Sequence, residues 1–122
     1  DTIGVANPKQ VYETCCNMKD MFPDVVWNLH FHDTRGMGLA NVLAGMQAEV
    51  TRFDASLGGL GGCPFAPGAT GNIATEDLVH MCSEMGVKTG VNLDALIKAA
   101  RELQTVIGHE LSGALIKIGK AE

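Results

Sequence analysis

No basic cluster relieves the acidic balance of this 122-residue sequence, in which 9 lysines and arginines stand against 14 aspartates and glutamates for a net charge of −5. A nucleic-acid partner, which requires clustered Lys and Arg, is excluded on that ground. No apolar run approaches the ~20 residues needed to span a bilayer, so no membrane partner is expected. The opening segment, DTIGVANP, has neither the basic head nor the apolar centre of a signal peptide. Cys15, Cys16, Cys63 and Cys82 form no CxxC pair and suggest no disulfide framework. The default reading is a reducing, cytoplasmic setting, or an organelle-targeted parent that has lost its leader. Low-complexity runs and internal repeats are also missing. What remains is 46% hydrophobic and 19% charged, the balance of one globular domain over residues 1–122.

Along the chain the punctuation is local and legible. Asn7 is a candidate N-cap with Pro8 at the first helical position, and Val11, Cys15, Met18 and Phe22 recur at helical spacing until Pro23 ends the run. Residues 24–33, DVVWNLHFHD, predict a strand. Residues 36–50 predict a second helix with Leu39, Leu43, Met46 and Val50 on one stripe. TRFDAS predicts a second strand, and a glycine-rich loop over 57–72 follows. Thr75 is expected to cap a third helix reaching about Met85, stopped by Gly86. Asn92 is expected to cap a fourth, buried along Leu93, Leu96, Ile97, Ala100, Leu103 and Ile107 and closed by Gly108. The final segment, HELSGALIKIGKAE, has no firm reading.

Alternating helices and strands predict an α/β fold, with parallel strands and crossover helices. Two strands do not make a stable parallel sheet, which needs cover on both faces. Asp1 to Gly4 resembles the tail of a strand whose body is missing. An eight-stranded (β/α)8 TIM barrel needs about 250 residues, roughly twice this length. The expectation is the C-terminal part of such a barrel, incomplete in this chain. It would associate with the missing barrel half or with further copies of itself.

Within LHFHDTRG, period-two alternation puts Val25, Trp27, Leu29 and Phe31 on one face and Asn28, His30 and His32 on the other. Residues two apart on a strand are separated by about 6.6 Å and point the same way, so both imidazoles can reach one ion. They lie at the C-terminal end of the strand, where barrel enzymes carry their chemistry. Two readings stand: a metal-binding pair, or two hydrogen-bonded histidines lining a polar core. The loop GGLGGCPFAPGATGN is open in the same way. It is a surface connection, or a lid whose glycines let backbone approach a ligand. Cys63 within it is a reactive thiol or a bystander, whereas Cys15, Cys16 and Cys82 fall on helices and read as core.

The run HFHDTRGMGLANVLAGMQAEVTRFDASLGGLGGCPFAPGATGNIATEDL closely resembles the 3-hydroxy-3-methylglutaryl-CoA lyase family, in the barrel superfamily of metal-dependent lyases and Claisen synthases. The resemblance runs from DTIGVANP through TGVNLDAL. The HxHD motif is shared with isopropylmalate and homocitrate synthases, whereas GGLGGCPFAPGATGN is specific, because those synthases carry a charged loop there. The resemblance implies that His30, His32 and Asn72 bind a divalent cation, Mg²⁺ or Mn²⁺, with an aspartate from a strand outside this chain. It implies that Cys63 is catalytic, with His30 as a further proton carrier. The implied reaction cleaves an acyl-CoA substrate, 3-hydroxy-3-methylglutaryl-CoA, to acetyl-CoA and acetoacetate, as in leucine degradation. Alternatives are a sister lyase on another 3-hydroxyacyl-CoA and a non-catalytic, self-associating barrel fragment. Asp1 matches a family position beside the site, Asp33 is expected to orient a loop, and Glu76 to be a charge at a helix start or a support for the loop. His80 and His109 are expected to be solvated. Arg35 departs from the aromatic residue often found there, which bears on the acyl group selected.

Overall fold

The computed structural model describes residues 1–62 and 71–119. Helix α1, Pro8–Met21, begins as the sequence predicts. Asn7 accepts from the Gln10 N–H, and the Gln10 side chain accepts in return from the Asn7 N–H, closing a capping box. Val11 and Cys15 bury its inner face. Phe22 is the C-cap and stays half exposed, meeting Trp27 edge-on with ring centroids 6.3 Å apart.

The strands are shorter than predicted. β1 spans Asn28–His30 and β2 spans Arg52–Asp54, parallel, with Asn28, Leu29 and His30 opposite Arg52, Phe53 and Asp54. A strand exists only where a partner accepts its hydrogen bonds, and β2 offers three residues. Val25 and Val26, apolar but unpaired, are exposed. Helix α2, Gly38–Gln47, connects the strands and starts two residues later than expected. The turn before it, where Gly36 takes φ +68° and Asp33 accepts from the Gly38 N–H at 2.8 Å, occupies the residues between. The predicted stripe on α2 is also corrected. The fully buried positions are Gly38, Asn41, Val42, Ala44 and Gly45, while Leu39, Leu43 and Met46 are half-buried. Gly45 explains the rotation: a Cβ there would stand 2.7 Å from Leu29 and 3.0 Å from Phe53, so the helix lies close on the sheet through its small residues.

The loop is ordered at its root. It opens with a 3₁₀ turn, Leu57–Gly59, and returns at Gly71, where the Asn72 N–H donates to the Gly61 carbonyl and the Asp33 N–H to the Gly71 carbonyl. Helix α3, Thr75–Glu84, takes Ala74 and not Thr75 as its N-cap, because Thr75 is already its first residue. Helix α4, Leu93–Ile107, keeps both predicted ends: Asn92 accepts from the Ala95 N–H at 3.0 Å, and Gly108 turns left-handed at φ +75°. Only Ile97 and Ala100 of its predicted stripe are fully buried. A short α5, Ala114–Ile118, follows where the sequence had no reading. Two cores result. One joins α1, α2 and α3 under the sheet through Val11, Cys15, Phe31, Val42, Ile73 and Leu78. The other packs Ala100, Leu111 and Ile116. Among the described residues no helix is long and apolar enough to cross a membrane.

Candidate active site

Both histidines leave the sheet at the carboxyl end of β1. His30 is its last residue, and His32 forms an isolated antiparallel bridge with Asn72. Their rings meet edge to face with centroids 5.0 Å apart. The Nδ1 atom of His32 lies 2.8 Å from the main-chain carbonyl oxygen of Asp1. A carbonyl can only accept, so Nδ1 is the donor, and in the neutral ring Nε2 then keeps its lone pair. The Nδ1 atom of His30 faces Oδ2 of Asp54 at 3.4 Å, with the same consequence. The other oxygen of Asp54 accepts from the Asn28 amide at 2.9 Å.

Asn72 arrives from the far end of the glycine loop. Its amide nitrogen donates to the Leu60 carbonyl at 3.1 Å, while its Oδ1 is buried with no hydrogen-bond partner among the described residues. A buried acceptor left bare asks for a ligand or donor. Two imidazoles with free Nε2 atoms and one bare amide oxygen form a donor set that fits a divalent cation such as Mn²⁺. Among the described residues no three His, Cys, Asp or Glu side chains gather as a metal cluster. Cys63 lies outside the described residues. Cys15 and Cys82 are buried free thiols, and burial raises both above the ordinary thiol value, as inert core cysteines require.

The remaining polar residues sort differently from expectation. The Asp1 carboxylate accepts from the Val5 and Ala6 N–H groups, and its terminal nitrogen donates to the His30 carbonyl at 3.0 Å. Asp33 orients the turn into α2, as predicted. Arg35 Nη1 donates to the Ile3 and Gly4 carbonyls, tying the first residues to the site's edge. His109 is exposed as expected, whereas His80 is half-buried by its position on α3. Glu76 takes the loop-supporting role, within the first turn of α3. It is fully buried, one oxygen accepting from the Gly58 N–H at 3.0 Å and the other without a partner among the described residues, so it holds the loop root. An open cavity of about 270 Å³ lies between that root and residues 109–112, and neither His30, His32 nor Asn72 lines it.

Burial raises the Glu76 carboxyl above the ordinary carboxylate range, outweighing the Gly58 N–H, which favours the charged form. An acid raised in the folded state contributes stability below its unfolded value, and that contribution is lost as pH rises through the folded value. Glu76→Gln cannot ionise. Its melting temperature should therefore rise relative to the parent over the pH window that opens above the ordinary carboxylate value. A difference constant across that window in thermal unfolding would count against a titrating Glu76.

Sequence reasoning passed over Asp54 and did not foresee the burial of Glu76. Asp54 is found by carrying the parallel register across from His30. Glu76 has no sequence signal, because its burial depends on the later packing of Gly113 and α5 over it.

The fold and site together define the class: a parallel α/β chain whose polar cluster collects at the carboxyl ends of its strands, beside a glycine loop. Residues 1–103 match the HMGL-like family. The chain belongs to that family. It is 50% identical over 119 residues to the (R)-citramalyl-CoA lyase of Chloroflexus aurantiacus, covering 98% of this chain and 38% of that one. It is 46% identical over 121 residues to a hydroxymethylglutaryl-CoA lyase of Bacillus subtilis, covering 99% of this chain and 40% of the relative. An HMG-CoA lyase of Acinetobacter baumannii, solved with coenzyme A and 3-methylmalate, superposes with a TM-score of 0.92 at 52% identity, covering 98% of this chain and 39% of that one. The chain thus spans about two-fifths of the length of the relatives it matches.

Proposed function

We propose that this chain is the C-terminal part of a (β/α)8 lyase barrel that cleaves a 3-hydroxyacyl-CoA, with 3-hydroxy-3-methylglutaryl-CoA as the first substrate to test. The observation that carries this reading is the bare, buried Oδ1 of Asn72, a residue bridged through its main chain to His32, together with two imidazoles in edge-to-face contact whose Nδ1 atoms are both engaged. His30, His32 and Asn72 would hold Mg²⁺ or Mn²⁺. Such a cation, when bound, stabilises the developing negative charge on the substrate's hydroxyl oxygen as a Lewis acid.

The cleavage is a retro-Claisen step. The C3 hydroxyl gives up its proton, C3–O becomes the ketone of acetoacetate, and the C2–C3 bond breaks with its electron pair passing to C2. Protonation of that carbon completes acetyl-CoA, and the Cys63 thiol is the proposed acid. The resemblance assigns His30 both to the cation and to the hydroxyl proton. Both roles need the same lone pair on Nε2, because Nδ1 is held by Asp54. Partnership with the missing barrel half follows from a two-stranded sheet that cannot bury both its faces.

The test uses the complete polypeptide carrying this chain, stripped of metal and resupplied with Mn²⁺. Cation-dependent release of acetyl-CoA from 3-hydroxy-3-methylglutaryl-CoA is expected, with none from the 122-residue chain alone. No release with either Mg²⁺ or Mn²⁺ sinks the reading. A second reading, a sister lyase acting on citramalyl-CoA, is favoured by the 50% identity to the Chloroflexus enzyme. The ratio of kcat/KM for the two thioesters decides between them.

A further inference from the structure

His30 has two candidate roles and one free nitrogen, and the residue that bears on the choice is on the neighbouring strand. In the parallel register Asp54 stands directly opposite His30, and Arg52 opposite Asn28. Aligned residues of adjacent strands point to the same face. Leu29 and Phe53 pack under α2, so Asn28, His30 and Asp54 share the opposite face. The Asp54 carboxylate is itself held. Oδ1 accepts from the Asn28 Nδ2 at 2.9 Å, which leaves Oδ2 toward the His30 Nδ1 at 3.4 Å.

We propose that Asp54 is a positioning residue: it fixes the Nδ1–H tautomer of His30 and so commits Nε2 to the cation, leaving His30 a ligand and not the acceptor of the substrate's hydroxyl proton. The cation half of this proposal rests on the site reading given above. Ligating histidines in general present their second ring nitrogen to a carboxylate or carbonyl, which sets the tautomer and the ring orientation. Here the two histidines use one of each. His32 donates to the main-chain carbonyl of Asp1, an acceptor that no side-chain substitution removes. His30 depends on a side chain that can be exchanged, and His32 then serves as the internal reference.

The tautomer and the metal are read separately in the complete polypeptide. Imidazole ¹⁵N spectra of the metal-free protein should show a protonated Nδ1 at both histidines. In Asp54→Ala the proton of His30 should move to Nε2, the tautomer a free imidazole side chain prefers, while His32 is unchanged. Asp54→Asn keeps the shape of the site and guards against a folding failure. Its amide oxygen accepts from Asn28, which turns its NH₂ toward His30 Nδ1 and imposes the same wrong tautomer. Both variants should bind Mn²⁺ about 10–100-fold more weakly by electron paramagnetic resonance titration, the usual loss for an outer-shell partner. A His30 that keeps its Nδ1 proton in both variants overturns the proposal, as does unaltered Mn²⁺ affinity. If the unsubstituted polypeptide binds no Mn²⁺, the site reading fails, and the spectra still decide whether Asp54 sets the tautomer.

Discussion

His32→Ala in the complete enzyme should cost at least about a hundredfold in turnover, together with a rise in the Mn²⁺ concentration needed for half-maximal rate. The magnitude follows from comparison. Loss of a group that merely orients a ligand typically costs ~10–100-fold, so loss of the donor itself has to reach or exceed that range. The substitution removes the imidazole's bond to the Asp1 carbonyl but keeps the main-chain framework. His32 meets Asn72 through main-chain atoms, and the neighbouring Phe31 is the residue buried in the core. Folding is checked by an unchanged far-ultraviolet circular dichroism spectrum in the absence of metal. A mutant with the parent's cation requirement would remove His32 from the proposed site.

Gly71→Ala should be the most damaging single methyl in the described part of the chain. Gly71 sits at φ +101°, and a Cβ there would run into the carbonyl oxygens of Gly59 and Gly61. Left-handed strain alone costs about 1–3 kcal/mol for a residue other than glycine. The collision adds to this because both neighbours are backbone and cannot swing away. Gly36 and Gly86 serve as controls, since both have positive φ and nothing within 4 Å of a built Cβ. Alanine at either measures strain without collision. Gly71→Ala should therefore lower the melting temperature well beyond either control. It should also abolish turnover, because the displaced backbone carries Asn72 and its bond to the Gly61 carbonyl. Equal melting temperatures for the three variants would show that the loop root yields.

Much of this architecture was legible because its signals are local. Asn7 with Pro8, and Asn92 with Gly108, mark helix ends by chemistry confined to one turn, and the structure keeps all four. Alternation about His30 and His32 needed only the strand period. The illegible parts depend on distant partners. β1 is three residues long because β2 pairs with three, and no property of residues 24–33 reports that number. The face of α2 turned inward because Gly45 lets Leu29 and Phe53 approach, so contact geometry overrode the hydrophobic stripe. Glu76 looked like an ordinary acidic residue in a first helical turn, and only the chain folding over it makes it a buried carboxylate.

Its neighbour Asp77 accepts from the N–H groups of Ala114 and Leu115, at 2.7 and 2.9 Å. A helix of five residues is far too short to persist by itself, so α5 exists on borrowed terms. The same opening turn of α3 holds Gly58 through Glu76 and α5 through Asp77. Two segments more than fifty residues apart in sequence are thereby moored to adjacent side chains, and Ser112 and Gly113 also bond to the Gly58 carbonyl. Solvent opening of one loosens the anchorage of the other. Anything that tightens the hold on Gly58 is thus felt at the far end of the described chain, as slower isotope exchange in the amides of α5.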